Sequence, residues 1–71
     1  MKEWDNIREL KLNTRTVNLY RSNIALRKWM VTVEYRNGAK SELIFEDERQ
    51  AYQRFYEAGR TAIDEEAKIW E

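Results

Sequence analysis

Residues 29–45 read WMVTVEYRNGAKSELIF, two runs of strand chemistry on either side of an Asn-Gly pair. β-Branched and aromatic residues alternate with polar ones in both runs, and Asn37-Gly38 tolerates the positive φ of a tight turn. The stretch reads as a β-hairpin, and its turn decides which side chains share a face. A two-residue turn at Asn37 and Gly38 pairs Val31 with Ile44 and Met30 with Phe45, splitting the apolar residues between both faces. A three-residue turn of Arg36, Asn37 and Gly38, with Gly38 left-handed in a G1 bulge, shifts the register by one. That register gathers Trp29, Val31, Val33 and Tyr35 with Leu43 and Phe45, so burial favours it. Met30, Thr32 and Glu34 then face the other way with Lys40, Glu42 and Ile44.

Upstream, residues 14–20 alternate clearly, Val17 and Leu19 pointing one way and Thr16, Asn18 and Tyr20 the other. Arg21, Ser22 and Asn23 read as a turn. Ile24 and Leu26 have the opposite parity to Trp29, Val31 and Val33, so a bulge or loop must fall between them. Residues 4–11 read as a short helix with Asp5 as N-cap and Ile7 and Leu10 on one face. Residues 7–12 also fit a strand showing Leu10 and Leu12 on one side, and six residues do not separate the two periods.

Downstream the period changes to that of a helix. Asp47 and Gln50 have capping-box spacing, and Glu46 and Glu48 place negative charge at the positive end of the dipole. Tyr52, Phe55, Tyr56, Gly59, Ala62, Ile63, Ala67 and Trp70 share one arc of about 140°, with Glu66 as the intruder. A helix over residues 48–70 would be roughly 34 Å long against about 23 Å for a seven-residue strand, so its end overhangs. A break at Gly59, with Thr61 and Asp64 as a second capping box, is the alternative. The arc keeps its phase through Gly59, which favours one helix and lets its backbone approach the sheet. The expectation is an α+β fold over residues 1–71 as a single domain: short N-terminal helix, three-stranded antiparallel sheet, long C-terminal helix on one face. The expected core is Val17, Leu19, Trp29, Val31, Val33, Leu43 and Phe45 with Tyr52, Phe55, Tyr56, Ile63 and Trp70.

The 71 residues contain no Cys and no His, so no disulfide supports the small core. The commonest general base and metal ligand is likewise missing. Ser22 and Ser41 have no imidazole to activate them. Asp64, Glu65 and Glu66 point in different directions along a helix, and two glycines cannot build a phosphate loop. A non-enzymatic protein without catalytic, metal or cofactor-binding residues is expected. No apolar run reaches membrane-spanning length and no signal peptide opens the chain, so a complete, cytoplasmic protein is expected.

Formal charge sums to zero but is unevenly placed. Residues 8–40 carry eight Lys or Arg against two Glu, +8 − 2 = +6; residues 41–71 carry four against nine, +4 − 9 = −5. Such charges can pair across elements within the fold, or present one sign to a partner. The uncovered sheet face should carry Tyr20, Met30 and Ile44 as an apolar patch with a basic rim of Lys28, Arg36 and Lys40. That composition suits a protein interface, unless the N-terminal segment covers it through Trp4, Ile7 and Leu10. The same face, with Arg15, Arg21 and Arg27 near its edges, would suit a single-stranded nucleic acid, and pairing of two sheets would give a structural homodimer.

The run Ile7, Arg8, Glu9, Leu10, Lys11, then Thr16, Val17 and Leu19, then a Gly-containing hairpin and a helix opened by acidic residues, resembles very small phage-encoded proteins, including the anti-CRISPR inhibitors of Cas9. In that family the inhibitor mimics DNA with acidic residues, whereas this hairpin is basic. The resemblance implies an inhibitor or regulator of phage or mobile-element origin whose partner is another protein.

Overall fold

The computed structural model describes residues 3–25 and 27–69. Four strands, β1 (Trp4–Lys11), β2 (Arg15–Ser22), β3 (Trp29–Tyr35) and β4 (Lys40–Phe45), precede one helix, α1 (Glu48–Ile69). The strands form an antiparallel meander in the order β1-β2-β3-β4, with α1 laid across β2, β3 and β4 on one face.

The hairpin has the three-residue turn. Tyr35 N donates to Ala39 O at 2.8 Å, Gly38 N donates to Tyr35 O at 3.0 Å, and Gly38 takes φ 97°. Asn37 Oδ1 accepts from Ala39 N at 3.0 Å and holds the turn's second half. Met30 therefore stands opposite Ile44, and Trp29 opposite Phe45. Between β2 and β3, Ser22 Oγ accepts from Ile24 N and Ala25 N, Ser22 N donates to Lys28 O, and Arg27 takes φ 65°. This loop resets the parity as expected; Leu26 lies outside the described residues.

The N-terminal segment is the main correction: residues 4–11 are a fourth strand, not a helix, and Asp5 caps nothing. A bulge at Ile7, between Asn6 and Arg8, explains why alternation was unreadable. Before it, Trp4 and Asn6 share a face with Ser22 and Tyr20; after it, Glu9 and Lys11 share that face and Leu10 turns to the helix. The extra residue switches the parity that would have announced a strand.

α1 begins at its acidic cap, Arg49 N donating to Asp47 Oδ1 at 3.1 Å, and runs unbroken through Gly59. It rests on a stripe of mostly small residues, Ala51, Phe55, Ala58, Gly59 and Ala62, packed on Val17, Leu19, Trp29, Val31 and Val33. Leu43, Tyr56 and Ile63, expected in the core, are exposed, and Trp70 lies outside the described residues. A Cβ on Gly59 would meet Leu10 Cδ2 at 2.8 Å, so β1 and α1 come together where the helix has no side chain.

Glu66 extends this stripe rather than interrupting it. Its Oε1 accepts from both Thr14 N (2.7 Å) and Thr14 Oγ1 (2.9 Å), tying the end of α1 to the β1–β2 turn. Next to it Glu65 pairs with Arg15, whose guanidinium also lies 4.9 Å from the centre of the Tyr35 ring.

Candidate functional site

The face of the sheet opposite α1 has no second layer among the described residues. On it Tyr20, Met30 and Ile44 form one cross-strand row, continued onto β1 by Asn6. Their exposure differs: Ile44 is 59% exposed, Tyr20 half-buried and Met30 only 9% exposed between them. The N-terminal segment extends the sheet as β1 instead of lying over this face, so the row remains open. Trp4 instead borders it. With Glu3, Tyr20, Met30, Thr32 and Lys40 it lines a hollow of about 310 Å³. Two aromatic rings and a thioether beside charged side chains match the make-up of interface centres, in which aromatics and Met are enriched.

A second row lies beside the first. Asn18, Thr32 and Glu42 are cross-strand neighbours, and Asn6 Nδ2 donates to Asn18 Oδ1 at 3.3 Å. Thr32 is 1% exposed, and its Oγ1 has no hydrogen-bond partner among the described residues. A buried hydroxyl without a partner costs stability, so this face is not optimised as a core.

The basic rim is not brought together as expected. Lys40 borders the hollow, but its Nζ lies 3.2 Å from Glu42 and 3.6 Å from Glu34. Glu42, by hydrogen bond and charge, and then Glu34 hold its ammonium above the usual lysine range. Lys28 ends the β2–β3 loop and Arg36 sits in the hairpin turn, at opposite ends of a strand roughly 23 Å long at about 3.3 Å per residue. Arg15 and Arg21 share the helix side with Val17 and Leu19; Arg15 is held by Glu65 and Tyr35, and Arg21 lies 6.0 Å from the Trp29 ring centre. Strand positions on the open face carry Glu9, Glu34 and Glu42 against Lys11 and Lys40, and Lys11 pairs with Glu9. The face is of mixed charge, not basic.

Of the residues expected as a cover for the patch, Trp4, Ile7 and Leu10, only Trp4 reaches this face, as a strand residue at the edge of the hollow, a position that the Ile7 bulge conceals in the sequence. Among the described residues no group of three or more acidic side chains is arranged to hold a metal ion, and no helix is long and apolar enough to cross a membrane. The fold defines an α+β class, a four-stranded antiparallel meander with one helix on one face. Comparison with protein-family models, curated proteins and solved structures finds no match for this chain.

Proposed function

We propose that this is a small non-enzymatic binding protein, an inhibitor or regulator, that engages another protein through the open face of its sheet. The observation that carries this is the row Tyr20, Met30 and Ile44, bordered by Trp4 on a face that no second layer of the described residues covers. Ile44 is the exposed anchor, while Tyr20 and Trp4 offer large, rigid contact area of the kind that dominates interface energetics. The ion-paired Lys40, Glu34 and Glu42 supply a polar rim. A nucleic acid would favour unpaired cations on this face, but Arg15 and Arg21 are on the other side of the sheet. The phage or mobile-element origin belongs to the same proposal, and the Ile7–Lys11 run that contributes to the resemblance is strand here.

The test is affinity capture from host lysate, comparing wild type with Ile44→Asp and with Glu57→Lys on the exposed side of α1. Capture of one protein by wild type and Glu57→Lys, and its loss with Ile44→Asp, supports the face. Equal capture by all three contradicts it. Met30 is too buried to be a clean probe.

A further inference from the structure

A second surface, independent of the open face, lies where β1 meets the flank of α1. Three observations coincide there. β1 is an edge strand. Leu12 N donates to Arg15 O at 2.9 Å, which continues the ladder with Leu10 and Arg8 bonded inward. Antiparallel alternation then leaves the N–H and C=O groups of Glu9 and Lys11 facing outward. Beside this edge runs a groove of about 230 Å³ between Leu10, Phe55 and Gly59, walled by Tyr56 and Ile63, with Arg60 at its rim. Tyr56 and Ile63 are 58% and 51% exposed although they lie on the apolar arc of α1. The sheet ends at β1, one strand short of covering them. Finally, Arg8 lies on the helix side of β1, and neither Arg8 nor Arg60 forms an ion pair among the described residues, unlike Lys11, Arg15 and Lys40.

We propose that the edge of β1 and the groove under α1 form a site that takes an extended segment of a partner protein as a fifth strand, with an apolar residue in the groove and carboxylates beside it. Each part of the chemistry selects one property of the occupant. The open edge selects an extended backbone, since only a strand can meet Glu9 and Lys11 in ladder geometry. The residue opposite Leu10 projects to the helix side and enters the groove, which selects an aliphatic or aromatic side chain. The next residue on that side, two positions along, stands opposite Arg8, and with Arg60 at the rim this selects Asp or Glu. The segment is therefore an acidic and apolar one with period two.

The probe is a fluorescein-labelled peptide, Thr-Thr-Glu-Thr-Leu-Thr-Glu-Thr-Thr, titrated against the full chain by fluorescence anisotropy. Two control peptides accompany it: one with Lys replacing both Glu, the other N-methylated at alternate backbone positions. The acidic peptide is expected to bind at least tenfold more tightly than either control and to slow exchange of the Glu9 and Lys11 amides. The Arg8→Glu/Arg60→Glu variant, checked for folding by circular dichroism, should reverse the preference to the Lys peptide, while Ile44→Asp should change nothing. Absence of binding up to millimolar peptide overturns the proposal. So does binding that ignores N-methylation or charge, or that is lost with Ile44→Asp. A chain that already self-associates, and is made monomeric by Arg8→Glu/Arg60→Glu, also overturns it, because the occupant is then a second copy. The Ile44→Asp control separates failure here from failure of the open-face proposal.

Discussion

The two faces of β3 bury their residues by different means. On the helix side Trp29, Val31 and Val33 are 2–8% exposed because Ala51, Phe55 and the rest of the α1 stripe lie on them. On the other side Met30 and Thr32 are 9% and 1% exposed with no layer above them among the described residues. Their shelter comes from neighbours within the sheet, Tyr20 and Ile44 beside Met30, Asn18 and Glu42 beside Thr32. Low exposure therefore has two meanings in one strand. On the covered face it marks interlocked packing that holds the fold; on the open face it marks shading by neighbouring side chains of the same sheet.

The largest expected effect is on the covered side. Leu19→Ala, at a fully buried position of β2, should lose about 2–5 kcal/mol in urea unfolding, enough to unfold much of a domain this small. Ile44→Ala on the open side should stay within about 0.5 kcal/mol. Similar losses at both positions would erase the distinction.

Next in size is the tie at the end of the helix. Glu66→Ala strands the Thr14 N–H and hydroxyl and should cost about 1–3 kcal/mol, whereas Glu66→Gln keeps an acceptor at Oε1 and should cost less. The same denaturation experiment reads both. Thr32→Val is expected to be neutral or stabilising by up to about 1 kcal/mol, because it removes a hydroxyl that has no partner while keeping the shape. A loss of more than that would mean the open face is packed as a core.

The smallest effect concerns pH. The Lys40 pKa is raised in the folded chain, by Glu42 first and then Glu34. Its contribution to stability is thus fully present below the ordinary lysine range and is lost as pH rises through the raised value. Because the group is exposed, the loss should be slight. Comparing unfolding of wild type and Lys40→Met from neutral to strongly alkaline pH should show the difference shrinking only at the alkaline end.

The hairpin was legible in the sequence because only one register puts Trp29, Val31 and Val33 on a common face with Leu43 and Phe45. The continuous helix was legible from the phase kept through Gly59. β1 was legible only after its bulge, where the alternative of a strand with Leu10 and Leu12 on one side holds; the Ile7 bulge changes parity halfway along eight residues and imitates a helical spacing of Ile7 and Leu10. The centre of the helix contact was misplaced for another reason. Large side chains dominate an apolar arc, but α1 approaches the sheet on Ala51, Gly59 and Ala62, which leaves Tyr56 and Ile63 on its flank. For the site, the pair Met30 and Ile44 follows from the hairpin register, and Tyr20 joins it once β2 pairs with β3. The basic rim does not follow, because Lys28 and Arg36 fall outside β3 at its opposite ends and the two neighbouring carboxylates pair with Lys40.

Leu43 and Ile44 are adjacent, exposed, and point to opposite faces of the same edge strand. A photo-crosslinking amino acid placed at each position in turn, followed by irradiation in host lysate and mass spectrometry, asks which face meets a partner. A single protein crosslinked from position 44 and not from position 43 is the predicted result; crosslinking from position 43 alone would contradict the open face as the binding surface.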